Sequence, residues 1–146
     1  KEKIALKDAF EKELNDYEST LKFILDPSSI PTRGSKMFLS PLDYVYITQK
    51  FGKTSASGRL YVSGTHNGVD FRASLGTQVK AMAKGTVAGA GNTDLTCPGA
   101  SFGKWVLIRY ENGLAATFGH LSQIKVAQGD TVSADTVIGY SGSTGY

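Results

Sequence analysis

Apolar residues in the first 26 positions recur at spacings of three and four: Leu6, Phe10, Leu14, Tyr17, Leu21 and Ile24 or Leu25, with Lys and Glu on the other faces. That period belongs to an α-helix with one apolar stripe. The stripe suits either the end of a coiled coil, with a helical partner, or a helix packed on a domain. Asp26-Pro27 ends it, because proline biases its predecessor away from helix. Residues 27–36 are rich in Pro, Ser and Thr and read as a linker, and the domain is placed at 37–146. There the period changes. Tyr44–Thr48, Thr77–Met82, Gly85–Ala90, Lys104–Tyr110, Leu114–Phe118, Ile124–Val126 and Thr131–Val137 are short β-branched or aromatic runs separated by turn residues. Lys104–Tyr110 is the strongest strand. Asn112-Gly113 after it predicts a hairpin, since both residues accept the positive φ of a tight turn. Val106 and Ile108 would then share one face, Trp105 and Leu107 the other. Asn92–Gly103 reads as a long loop.

Gly76-Thr-Gln-Val79-Lys-Ala81 is echoed by Gly129-Asp-Thr-Val132-Ser-Ala134 at Gly, Val and Ala. Two similar β-turn-β pieces folding on one another would make a sandwich or small barrel. The expected fold is all-β, an antiparallel sheet forming an open, barrel-like sandwich, with helix only in residues 1–26.

Composition narrows the function more than the fold. A chain of 146 residues is one domain with a real core. Residues 1–26 carry five Lys against seven Asp and Glu, and the remainder carries eleven Lys and Arg against six acidic residues. A mildly basic domain tolerates an anionic polymer such as bacterial wall material. No arginine cluster interleaved with aromatics supports nucleic-acid binding. No run is long enough to cross a membrane, and no secretory signal is present. The sequence opens inside a helical pattern, so a longer protein is expected, in which a signal or anchor could precede it. Cys97 is the single cysteine, which excludes an internal disulfide; it lies in the turn-like Asp94-Leu-Thr-Cys-Pro-Gly99 and reads as a structural thiol.

The candidate chemistry gathers in Gly64-Thr-His-Asn-Gly-Val-Asp-Phe71. His66 and Asp70 both offer donor atoms to a divalent metal. In an extended strand they would share a face about 13 Å apart at ~3.3 Å per residue, and Gly68-Val69 makes a poor helix. A sharp bend is expected between them, with Gly68 supplying the backbone freedom. His120, the other histidine, stands at the end of a hairpin strand, open to the roles of metal ligand, general base or ordinary polar residue. Tyr61 lies near His66 and reads more readily as a core aromatic than as an oxyanion donor.

His66-Asn-Gly-Val-Asp70 resembles the first metal motif of the lysostaphin-type zinc metallopeptidases, bacterial peptidoglycan endopeptidases and their inactive relatives. Gly76–Ala81, Gly85-Thr-Val87, Asn112-Gly113, Phe118-Gly-His120-Leu-Ser122, Gly129–Val132 and Ile138-Gly-Tyr-Ser-Gly-Ser-Thr-Gly145 match the family pattern in order, from about Ile47 to Tyr146. The helix before them resembles the coiled-coil segment of cell-division-linked activators of wall hydrolases. The resemblance implies that His66 and Asp70 are zinc ligands. It implies that His120 is a catalytic histidine that orients the attacking water and stabilises the oxyanion. Peptidoglycan is the implied substrate, and the cell envelope or exterior the implied location. The family's His-x-His pair would supply the third ligand and a second catalytic histidine just after the Ser-Thr-Gly turn. This sequence stops at Tyr146, before that pair, so the chain as it stands is expected to hold zinc weakly and to be a poor enzyme. A non-catalytic wall-binding or hydrolase-activating module is the alternative. A lipoyl- or biotinyl-carrier is disfavoured because Ala81-Met82 is followed by Ala83, with Lys84 one place late. No Gly-x-Ser-x-Gly elbow supports a serine hydrolase.

Overall fold

The computed structural model describes residues 38–60 and 64–145, together with Ala5, Ala9 and Lys12, which are helical. The rest of the helix expected over residues 1–26, the linker, Met37 and Tyr61 lie outside the described residues.

Eight strands follow in chain order: β1 (Ile47–Gln49), β2 (Asp70–Phe71), β3 (Gln78–Lys80), β4 (Gly85–Asn92), β5 (Lys104–Tyr110), β6 (Ala115–Ile124), β7 (Thr131–Val132) and β8 (Val137–Ser141). β1 and β2 pair as a two-stranded sheet; the other six form an antiparallel sheet in the order β3-β8-β6-β5-β4-β7. The large sheet curls. Past Lys80 the β3–β8 pairing continues, the Ala81 amide donating to the Thr136 carbonyl at 2.8 Å and the Asp135 amide to the Ala81 carbonyl at 2.9 Å. The fold is mostly β and antiparallel with one curled, half-barrel sheet, in keeping with the expected all-β, open barrel-like form.

The period-2 pattern does what it should in β5. Val106 and Ile108 are fully buried, and Trp105 and Leu107 point to the other face, half-buried. Val79, Val87, Leu121, Val132 and Ile138 bring the other strands of the large sheet into the same core, closed by Leu42 and Tyr110. The indole of Trp105 lies over Gly89 and Gly91 of the neighbouring strand, where an added Cβ would come within 3.2 Å of the ring.

Boundaries differ from expectation where hydrogen bonding overrides local composition. Tyr44–Tyr46 are exposed and only Ile47–Gln49 are strand. β3 is shorter than Thr77–Met82 and β4 longer than Gly85–Ala90. The expected strand Leu114–Phe118 runs on to Ile124 as β6, which leaves Lys125 and Val126 of the expected Ile124–Val126 strand outside it. Thr131–Val137 breaks at Asp135, whose φ of 74° reverses the chain; the tail after it then pairs as β8. A one-turn helix, α1 (Ser57–Leu60), and a 3-10 turn at Thr93–Leu95 stand where only loop was expected. In the β5–β6 hairpin only Gly113 is left-handed, with φ 84°. Its amide donates to the Tyr110 carbonyl at 3.1 Å, and the Tyr110 amide to Leu114 at 2.8 Å. The loop is thus the three-residue form, a turn closed by a left-handed glycine, rather than a two-residue turn.

The sequence echo is structural. The Gly76 amide donates to the Ser141 carbonyl, and the Ser141 amide to Thr77; likewise the Gly129 amide donates to Val87, and the Val87 amide to Asp130. The two copies stand at opposite edges of the large sheet, each burying its valine.

Candidate metal and catalytic site

His66 and Asp70 are both anchored to one short segment. His66 exchanges two backbone hydrogen bonds with Gly52, at 2.8 and 2.9 Å, and Asp70 pairs with Gln49. The 66–70 segment carries one residue more than the 49–52 segment opposite it, so the intervening residues bulge. Gly68 is not in the left-handed region, so the bend does not use its freedom as expected. What its missing Cβ leaves is space beside His66, since a Cβ there would lie 4.0 Å from Nε2.

The His66 ring is buried, and its Nδ1 lies 3.0 Å from the Lys50 carbonyl. A carbonyl only accepts, so Nδ1 carries a proton, which leaves Nε2 as the nitrogen through which the ring would bind a metal. That nitrogen faces Asp70 Oδ1 at 3.1 Å, and the carboxylate is half-exposed. Two ligands of a tetrahedral zinc, at bonds of ~2.0–2.2 Å, lie about 3.3 Å apart. The N and O donors, their separation and the backbone carbonyl behind the ring suit a divalent metal. Among the described residues, no third His, Cys, Asp or Glu completes a metal-binding group with them. His120 does not join them in such a group.

His120 is placed by a bulge. Val106 pairs with Phe118 and Lys104 with Leu121, so β6 carries one extra residue there. His120 takes φ 57°, and its amide donates to the Phe102 carbonyl at 2.7 Å. Bulges of this kind re-aim a side chain. The imidazole is exposed, with Nδ1 2.8 Å from the Thr144 carbonyl. As with His66, the proton sits on Nδ1 and Nε2 is the basic nitrogen. The two histidines belong to different sheets, and the chain links them through one corner. Ser74, four residues after Asp70, accepts from Ser141 Oγ at 2.6 Å, and Ser141 pairs with Leu121 beside His120.

The sequence reading missed the segment that holds His120. Thr144 Oγ1 accepts from the Lys104 amide at 3.0 Å and donates to the Leu121 carbonyl at 2.7 Å. The Gly145 amide donates to Asp94 Oδ2 at 3.0 Å, while Oδ1 of the same carboxylate accepts from Gly99 at 2.8 Å. The amide donors of Gly145 and Gly99, with the positive charge of Lys104 nearby, hold the Asp94 carboxyl below its ordinary value. A local signal existed only in part: Asn92-Thr-Asp94 is turn chemistry, and Asn92 Oδ1 accepts from the Asp94 amide. Nothing local ties Asp94 to a glycine 51 positions on. Cys97 is buried in the same loop, a free thiol.

Residues 64–146 match the model of peptidase family M23. The DD-carboxypeptidase/endopeptidase Mpg of Neisseria meningitidis serogroup B is 36% identical over 107 residues, covering 73% of this chain and 23% of that protein. Lysostaphin of Staphylococcus simulans is 41% identical over 83 residues, covering 57% of this chain and 16% of that protein. The chain thus spans less than a quarter of either relative. The catalytic domain of the antimicrobial peptidase lysostaphin from Staphylococcus simulans superposes with a TM-score of 0.59 at 33% identity, over 70% of this chain and 71% of that one. A zinc-containing peptidase from Vibrio cholerae superposes with a TM-score of 0.61 at 28% identity, over 73% of this chain and 32% of that one.

Proposed function

The chain belongs to peptidase family M23, and on that premise we propose that it is the peptidase domain of a zinc-dependent endopeptidase that cuts peptide bonds in bacterial peptidoglycan, in the cell envelope or outside the cell. The observation that carries this reading is the pair His66 Nε2 and Asp70 Oδ1, 3.1 Å apart, with the ring held from behind by the Lys50 carbonyl. These two residues would hold the zinc. When bound, zinc supplies a Lewis acid and lowers the pKa of a water at its open position to about 7.

The protein's own groups do the rest. His120, with Nδ1 committed to Thr144, offers Nε2 to take a proton from the attacking water. Once protonated, the same nitrogen donates toward the developing oxyanion. An open, shallow depression lined by Thr48, Gln49, Lys50, Lys53 and Thr54 lies along the segment that anchors His66 and Asp70. Its hydroxyls, amide and lysines suit an extended peptide that carries carboxylates. Residues 1–26 would serve as a helical contact, with a coiled-coil partner or with the domain. No helix among the described residues is long and apolar enough to cross a membrane.

The test is zinc stoichiometry after dialysis, with peptide release from purified peptidoglycan. Both are measured on this chain and on one continued past Tyr146 with a His-x-His strand. The expected result is weak zinc retention here, lost in His66→Ala and Asp70→Asn, and tight one-to-one zinc with peptide release in the longer chain. A longer chain that binds zinc but releases nothing would refute the hydrolytic reading and favour an activator or binding module.

A further inference from the structure

We propose that Asp94 is a positioning residue for His120: by gripping the Gly145 amide it fixes the Thr144 carbonyl, which in turn selects the imidazole tautomer that leaves Nε2 basic. The inference rests on the reading of His120 as the catalytic base.

The geometry is a relay of short contacts. Both carboxylate oxygens of Asp94 are used, one on Gly99 within its own loop and one on Gly145. The first ties Asp94 to the 94–99 loop; the second reaches across to the 143–145 segment. Between Asp94 and His120 stands Thr144, adjacent in sequence to Gly145, whose carbonyl accepts from His120 Nδ1 at 2.8 Å. The space for this is tight. A Cβ on Gly145 would meet the Ser101 carbonyl oxygen at 2.3 Å, and one on Gly103 would meet the Gly145 nitrogen at 2.3 Å. The Thr144 carbonyl can therefore move only if its neighbours release it. Asp94 supplies the charged contact in that set, and a hydrogen bond to a charged acceptor is stronger than a neutral one. Without it, the carbonyl loses one of its fixed neighbours, and the imidazole is free to carry its proton on either nitrogen.

Aspartate suits the position better than asparagine. Two amide donors meet two acceptor oxygens, whereas an asparagine has one acceptor and would turn its NH2 toward one of the N–H groups. Asp94→Asn is thus nearly isosteric but loses one contact.

The experiment reads the tautomer directly in the metal-free chain. The chain has two histidines, so a long-range 1H–15N spectrum of the imidazoles holds two rings, and His120→Gln assigns them. Wild type should show His120 with its proton on Nδ1. In Asp94→Asn and Asp94→Ala the His120 ring should shift toward the Nε2–H form while His66, held by Lys50, is unchanged. Exchange of the Gly145 amide should speed up by about tenfold or more, the size of a lost hydrogen bond to a charged group. Lys80→Met, which removes the remote ion pairs with Asp43 and Asp135, is the control for general destabilisation and should leave both rings alone. An unchanged His120 tautomer in both Asp94 variants, or an equal shift in Lys80→Met, would overturn the proposal. Should Asp94→Ala fail to fold, Asp94→Asn carries the test alone. The readout needs no zinc and no turnover, so it is separable from the hydrolytic reading. If the tautomer shifts as expected but His120→Ala in the longer chain releases peptides undiminished, the hydrolytic role of His120 fails and the positioning by Asp94 stands.

Discussion

Two glycines with the same left-handed backbone separate local strain from the contribution of the clamp around His120. Gly113 has φ 84° and Gly103 φ 61°. An added methyl at Gly113 meets nothing within 4 Å, whereas at Gly103 it meets the Gly145 nitrogen and the Thr144 carbonyl carbon at 2.3 Å and Thr144 Oγ1 at 2.4 Å. Gly113→Ala therefore costs only the left-handed conformation, about 1–2 kcal/mol. Gly103→Ala carries the same strain and must also displace the 143–145 segment. That displacement breaks four hydrogen bonds: Lys104 amide to Thr144, Thr144 to Leu121, His120 to Thr144 and Gly145 to Asp94. The site is partly open, so water replaces each partner and the net loss is about 0.5–1.5 kcal/mol apiece. The sum for Gly103→Ala is about 3–8 kcal/mol, against a whole-domain stability of roughly 5–15 kcal/mol. Urea unfolding followed by the fluorescence of Trp105, the single tryptophan, gives both numbers. Equal destabilisation by the two substitutions would refute the clamp as a source of stability. So would an unperturbed His120 ring in a folded Gly103→Ala chain.

Two further outcomes follow from the core and from charge. Ile108→Ala, at a side chain with 0% exposure, should cost about 2–5 kcal/mol in urea unfolding through lost burial and the cavity left behind, while Leu107→Ala on the opposite face costs less. Asp94, its carboxyl lowered first by the Gly145 amide and then by Gly99, contributes stability that is complete above the unfolded carboxylate value. That contribution is lost as pH falls through its lowered folded value. Asp94→Asn lacks it, so urea midpoints of wild type and variant should converge on acidification; a gap that persists at the acid end would contradict this sign.

The sequence showed most plainly what one strand can show by itself. Lys104–Tyr110 has the composition and alternation of a strand, and its bounds and the division of its residues between two faces are as read. Val137–Ser141 was missed because its pattern, Val-Ile-Gly-Tyr-Ser, carries glycine and hydroxyl residues; it is a strand because β3 and β6 flank it on both sides. Tyr44–Tyr46 failed the other way, with strand composition but little partner backbone. At the site, the short spacing of His66 and Asp70 marked them as a candidate pair, whereas the means of bringing them together was not legible. The bulge depends on Gln49–Gly52, a segment whose local sequence carries no metal signal. Asp94 was invisible for the same reason, since its partner is distant in sequence.

The two parts of the candidate site are held with unequal firmness, and this sets what a metal would do to the structure. His120 hangs from β6, which is paired on both sides within the six-stranded sheet. His66 and Asp70 hang from β1 and β2, a two-stranded pair of three and two residues, with Ile47 and Phe71 exposed. An isolated two-stranded pair is marginal in water, because it buries too little apolar surface to offset the ordering of its backbone. A metal shared by Nε2 and Oδ1 would tie residues 66 and 70 to each other on the one template segment, and would bind only the ordered form. Ligand that binds one state alone stabilises that state. Zinc should therefore slow amide exchange at Gly52, His66 and Arg72, whose amides donate across this small sheet. It should leave Val106 and Ile108 exchanging as before, because their opening already requires the large sheet to come apart. Equal slowing in both regions, or none at Gly52 and His66 with zinc demonstrably bound, would show that the metal is held elsewhere or that the small sheet is already as firm as the large one.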